Sequence, residues 1–257
     1  MLFRARRPTP IDIDGPLGTD RFVLRIDERD VVVGLRRNPR ATRYTLRVRT
    51  AERDVMLTMP PRGSVSEARA FALRYTGWIA QRLSRLPDIV VFVPGALVPL
   101  RGEPHRIVHR PASRGTVWSE AGPDAERLLC VAGGGEHVAR RIGDFLRREA
   151  RRDLLEASRR HAAALGVSIA RVTLRDTASR WGSCAANGAL SYSWRLILAP
   201  PFVLDYLAAH EVAHRREMNH GPRFWQTVDR LFPERERAER WLKVHGASLH
   251  RYGAKSD

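Results

Sequence analysis

The chain has 257 residues, with 45 Lys plus Arg against 28 Asp plus Glu, a formal net charge of +17 and 43% hydrophobic residues. No run approaches the roughly 20 apolar residues of a membrane-spanning helix, and two cysteines, Cys130 and Cys184, cannot build a disulfide framework. The basic N-terminus is followed by Pro8, Pro10 and Asp12 instead of the apolar stretch of a secretory signal, so no membrane is expected and a cytoplasmic location is. Lysine occurs only at Lys243 and Lys255, so nearly all the positive charge is arginine, and it is spread along the chain. A nucleic-acid footprint would cluster; spread arginine indicates compositional bias and leaves nucleic acid as a partner for which no clustered stripe speaks.

In chain order, residues 1–20 are rich in Pro, Gly and Asp and read as a flexible tail. From Arg21 the pattern has period two. Tyr44, Leu46 and Val48 alternate with Arg43, Thr45, Arg47 and Arg49, a strand with one buried face, and Val31–Val33 and Val55–Met59 read as neighbouring strands. Ser64 and Glu67 have the spacing of a capping box. The helix predicted after it, up to Pro87, puts Ala68, Phe71, Tyr75, Trp78, Ile79, Leu83 and Leu86 on one stripe, which reads as core packing. Short strands follow over 89–132, broken by Pro94-Gly95, Gly102-Glu103-Pro104 and Gly122-Pro123. Gly133-Gly134-Gly135 reads as a hinge or linker, since it lacks the register of a phosphate loop. Glu136–Leu165 is predicted as a long helix closed by Gly166, with Val138, Ile142, Phe145, Leu146, Ala150, Leu154, Leu155 and Ala162 inward. No internal repeat stands out. The fold class is α+β: a flexible tail over 1–20, a β-rich N-terminal region with one helix over 21–135, and a helical core with a small sheet over 136–257, the region that carries the chemistry.

The chemistry concentrates at His210-Glu211-Val-Ala-His214, with His220 beyond it. Pro200-Pro201 and the helix formers after them place this run on a helix, where residues four apart stand one turn above the other on one face. Two imidazoles so placed can share one Zn²⁺ at about 2.0–2.1 Å. Glu211, rotated about 100° from His210, is too far round to be a first-choice ligand and is placed to act as general base on a metal-bound water. On an unbroken helix His220 would sit about 9 Å beyond His214, so the helix must end and turn back for His220 to be the third ligand. Asn219 is suited to a left-handed turn and Pro222 forbids simple continuation. The His spacing is also that of metzincins, which place Gly where this chain has Glu217; Glu217 is read as solvent-facing and is the reserve ligand.

Upstream, Asn187-Gly188 marks a hairpin between Arg180-Trp-Gly-Ser-Cys184 and Gly188–Leu198. A hairpin running into the metal helix would put a sheet edge beside the ion, where an extended peptide can add as a strand. Cys184 reads as a structural thiol, and Trp181 and Trp194 as packing residues. Arg180, Tyr192 and Arg195 are the candidates for substrate binding or for stabilising an oxyanion, and sequence does not choose among them.

These strings resemble the YgjP-like metallopeptidase family of bacteria, which is similar to the WLM and SprT-like zincin groups. The residues that carry the resemblance are RWGSC at 180–184, WRLILAP at 194–200, the HEVAH motif with His220, and Gly221-Pro-Arg-Phe-Trp225. Met59-Pro60-Pro61, Trp78-Ile-Ala-Gln-Arg82 and the run from Pro94 to Gly102 also fit, so the resemblance covers roughly residues 35–247. Val212 stands where the family usually has Leu, and Gly221 where it often has Ser. The resemblance implies a zinc metallopeptidase with His210, His214 and His220 as ligands and Glu211 as general base, acting on a peptide or protein. It also implies two alternatives: a UTP pyrophosphatase using the same metal, since some members are so labelled, and a DNA-associated protease of the SprT-like kind.

Overall fold

The computed structural model describes residues 21–49, 54–86, 88–177 and 180–253; the tail expected over 1–20 lies outside them. The chain is α+β and divides into two compact units between Pro87 and Asp88.

In the first unit, β1 (Arg21–Ile26) and β2 (Arg29–Arg37) form a hairpin through Asp27 and Glu28, both at positive φ. β3 (Thr45–Arg49) and β4 (Asp54–Met59) complete a sheet of order β1-β2-β4-β3, in which β2 and β4 run parallel. The alternation seen in sequence is the alternation of burial: Val31, Val33, Val55, Leu57 and Met59 point into the core. Ser64 caps α1 (Val65–Arg74) through the expected box with Glu67. The stripe that follows is not all core. At Tyr75 the amide bonds back to the Ala72 carbonyl, ending α1, and the chain restarts as α2 (Thr76–Ser84). That shift of phase buries Ala68, Ala72 and Ile79 under the sheet and leaves Tyr75 and Trp78 exposed.

In the second unit, β5 (Leu97–Leu100), β6 (Glu103–Arg110), β7 (Val117–Ala121) and β8 (Arg127–Ala132) form a sheet of order β5-β6-β8-β7. Its pairings are antiparallel, parallel and antiparallel, the same as those of the first sheet, and a helix again follows the fourth strand. β3, β4 and α1 begin at 45, 54 and 65; β7, β8 and the helix after them begin at 117, 127 and 138. The chain therefore carries an internal structural repeat that the sequence reading missed. It was hidden because what repeats is the order and spacing of elements: Gly133-Gly134-Gly135 stands where Pro60-Pro61-Arg62-Gly63 does. That glycine run is accordingly a short strand-to-helix connection in this repeat, not a linker. The boundary expected near residue 136 falls inside the second unit, because β5–β8 share a core with the helix that follows them.

That helix, α3 (Val138–Leu165), buries Val138, Ile142, Phe145, Leu146, Ala150, Leu154 and Ala162 and ends at Gly166 in the left-handed conformation. Leu155, expected inward as well, is only partly buried. β9 (Arg171–Arg175), β10 (Gly182–Cys184) and β11 (Ala189–Ser193) make a small sheet of order β10-β11-β9, with the predicted Asn187-Gly188 turn joining β10 to β11. After a 3-10 turn over Trp194–Leu198 come α4 (Pro201–Ala213), α5 (Pro222–Leu231) and α6 (Arg235–His245). α4 packs against α3, α5, α6 and β10 and is apolar on nearly every face, so it runs through the interior. Among the described residues no helix is long and apolar enough to cross a membrane.

Arg195 ties the C-terminal segment to this core. Its guanidinium is buried, pairs with both carboxylate oxygens of Asp176 at 2.7 and 3.1 Å, and donates to the carbonyls of Leu249 (3.1 Å) and Tyr252 (2.6 Å). It also lies 4.7 Å from the centre of the Trp194 ring. Arg195→Ala strips two carbonyls of their donor and is expected to cost about 1–3 kcal/mol for each one left unsatisfied. Arg195→Lys should recover only part, because an ammonium cannot reproduce the planar fork. Urea midpoints of the three proteins measure the difference.

Candidate metal centre

α4 begins at Pro201, whose fixed φ suits a first helical turn, and carries His210 and Glu211 in its last turn. His214 is its C-terminal cap. The chain then folds back as the sequence requires, through hydrogen bonds from Arg215 to Val212 and from Arg216 and Glu217 to Ala213, and α5 starts at Pro222. The expected left-handed Asn219 is not used: it is absent from the described non-glycine residues with positive φ, and the reversal is made by tight turns. The result is a cluster in which one ligand atom from each of His210, His214 and His220 lies within 4.8 Å of the others. The Nε2 atoms of His210 and His220 are 3.2 Å apart.

Local hydrogen bonds orient the rings. His214 Nδ1 lies 3.0 Å from the Glu217 carbonyl, which can only accept, so Nδ1 carries the proton and Nε2 is left as the donor atom for a metal. His210 Nδ1 faces the Tyr206 hydroxyl at 3.4 Å. Beneath the cluster sits Phe224 of α5, fully buried, with its ring centre 4.9, 4.5 and 4.7 Å from those of His210, His214 and His220. Burial, reinforced by the neighbouring His214 and His220, pushes the pKa of His210 down to about 4, and burial lowers that of His214 too. Both rings are therefore neutral at pH 7, the form that ligates a metal. Three imidazoles whose ligand atoms lie within 4.8 Å of one another suit a divalent transition-metal ion.

Glu211 lies beside this cluster, 4% exposed, and burial pushes its carboxyl up to about 8 against the opposing pull of the Arg180 charge. A metal ion next to it would favour the carboxylate and draw that value down. Its position depends on Gly182 of β10: a Cβ added there would meet Glu211 Oε1 at 2.4 Å and Cγ at 2.7 Å. β10 is an edge strand of its sheet, so the carboxyl group lies against an edge strand.

The other sequence candidates separate. Arg180 is exposed and its charge acts on Glu211. Tyr192 is 1% exposed with its hydroxyl 3.0 Å from Ser158 Oγ of α3, so it is held in the core. Arg195 is fully occupied by Asp176 and two carbonyls. Both corrections have one cause: β11 and the turn after it aim these side chains inward. Cys184 is half-buried with its thiol near the Ala185 carbonyl and is not part of the histidine group. Trp194 is buried and Trp181 stacks on His250, as packing residues do. Glu217 contributes its carbonyl to His214, and its carboxylate is not in the cluster. Phe224 and Gly182 escaped the sequence reading as site residues. The signals were a large apolar residue one helical turn after His220 and a glycine inside a strand run.

Gly182→Ala is expected to displace the Glu211 carboxyl and destabilise the protein by about 1–3 kcal/mol, the usual cost of overpacking a tight site. The chemical denaturation midpoint checks it, and an unchanged midpoint would show that the strand can yield.

The chain matches no curated protein. Among solved structures, it resembles the metallopeptidase zymogen of Pyrococcus abyssi abylysin at 19% identity and a TM-score of 0.32, over 35% of this chain and 93% of that one. The family model described as YgjP-like, metallopeptidase domain, matches residues 43–245, and the chain therefore belongs to the YgjP-like metallopeptidase family.

Proposed function

We propose that the protein is a zinc-dependent peptidase in which His210, His214 and His220 hold the ion and Glu211 is the general base. The observation that carries this is the convergence of three imidazoles beside one buried carboxyl group at the edge of a sheet. Four-coordinate zinc with bonds of about 2.0–2.1 Å sets neighbouring ligand atoms about 3.3 Å apart, close to the 3.2 Å between His210 and His220. Three histidines also leave a fourth position open, as hydrolysis needs. When bound, zinc supplies Lewis acidity toward water and a substrate carbonyl.

The chain's own residues do the rest. Glu211, as carboxylate, takes the proton from the attacking water and returns it to the departing amine. Its burial excludes bulk water, which strengthens every charge interaction around it. Arg180 holds Glu211 toward its ionised form and is the remaining candidate of the three to steady the oxyanion. An extended peptide adds antiparallel or parallel to β10, so that its backbone is registered by main-chain hydrogen bonds before its carbonyl meets the site.

Glu211→Gln is expected to keep the zinc and lose about 10²–10⁴-fold or more in turnover. His214→Ala is expected to lose the zinc itself. Metal analysis of the purified proteins, with turnover on casein, short peptides and UTP, distinguishes the outcomes. Peptide cleavage abolished by Glu211→Gln supports the proposal. Release of pyrophosphate and UMP from UTP with the same dependence replaces it with the pyrophosphatase reading. Wild type without stoichiometric zinc overturns it.

A further inference from the structure

Behind His210, on the side away from the cluster, lies a chain of polar groups that catalysis by Glu211 does not use. Tyr206, one turn earlier on α4, is 4% exposed and sets its hydroxyl 3.4 Å from His210 Nδ1. The same hydroxyl is 2.9 Å from Oε1 of Glu239 on α6. Arg235, one turn before Glu239, reaches both of its oxygens at 3.3 and 3.1 Å and is itself anchored by Asp229 at 2.7 Å. The Arg235 guanidinium lies 4.8 Å above the Trp225 ring, whose centre is 5.7 Å from that of His220.

The donors and acceptors fix the direction of this chain. A carboxylate can only accept, so the single hydroxyl proton of Tyr206 goes to Glu239. The hydroxyl oxygen then has only lone pairs to offer, so His210 Nδ1 must be the protonated nitrogen. Nε2, the atom that faces His220, is left with its lone pair free. We propose that Tyr206 and Glu239 are positioning residues that lock His210 in its metal-ligating tautomer and ring orientation, with Arg235 holding the carboxylate in place. His214 obtains the same service from a main-chain carbonyl; His210 obtains it from Tyr206 of its own helix, whose hydroxyl is set in turn by Glu239 of α6. Metal affinity at His210 thus depends on the docking of α6, which supplies no ligand. This rests on the reading of the three histidines as a zinc site.

The test is the zinc affinity and dissociation rate of the full chain, measured by competition with a chromophoric chelator. Outer-shell partners of ligating histidines are generally worth about 10–100-fold in metal affinity, and Tyr206→Phe is expected to lose that much while keeping its far-ultraviolet circular dichroism. Glu239→Gln, which keeps an acceptor oxygen, should lie near wild type, and Glu239→Ala near Tyr206→Phe. A merely structural role would lower the melting temperature of these variants without this graded loss of affinity. Should Tyr206→Phe not fold, the half-exposed Glu239 carries the test: Glu239→Ala and Glu239→Gln binding zinc as tightly as wild type would overturn the relay. Wild type that binds zinc with unaltered variants refutes the relay alone; wild type that binds none refutes the zinc site as well.

Discussion

A carboxyl group placed inside an apolar helix is the constraint around which the second unit is arranged. α4 has to be interior, because α3, α5, α6 and β10 surround it, yet it has to carry His210 and Glu211 in its last turn and His214 as its cap. Burying a carboxylate without compensation costs several kcal/mol, and the rise of Glu211 to about 8 is that cost expressed as a proton affinity. Arg180 offsets part of it by bringing a positive charge near, while the missing side chain at Gly182 leaves room for the carboxyl group against β10. The neutral state of His210 and His214 follows from the same dry surroundings, so burial acts on the carboxyl group and on the two imidazoles alike.

The division between what was legible in the sequence and what was not follows the range of the interactions. That His210 and His214 come together could be read because a spacing of four residues on a helix is local geometry. His220 could be reached by one further step, since a straight helix would carry it out of range. The strand faces of the first unit and the closing of α3 at Gly166 were equally local. What failed was non-local. Tyr192 and Arg195 have the chemistry of oxyanion partners, but their direction is decided by Ser158 on α3 and by Asp176, Leu249 and Tyr252, none adjacent in sequence. The aromatic stripe failed at Tyr75, where one early turn of hydrogen bonding changes the phase of everything after it. Phe224 carries no polar atom to advertise its place under three histidines.

The conspicuous arginine content also resolves into structure. Arg101 joins the β5-β6 turn to Asp153 and Glu149 of α3, Arg235 braces Asp229 and Glu239, and Arg195 fastens the C-terminal segment. In each case the planar fork reaches two acceptors at once, which a lysine ammonium does less well. The charge that looked like a surface property is spent in part on joining elements distant in the chain.

The Phe224 ring has a consequence of its own. Because it touches all three histidines, α5 is the shared floor of a site whose ligands come from α4 and the loop before α5. Any separation of α5 from α4 opens its contacts with His210 and His214 and draws His220 away from them. Metal occupancy and the seating of the C-terminal helices are then two faces of one equilibrium: an ion that binds only the assembled form holds the helices together, by an amount that grows with the logarithm of its free concentration. By reciprocity, whatever loosens those helices would release an ion held there.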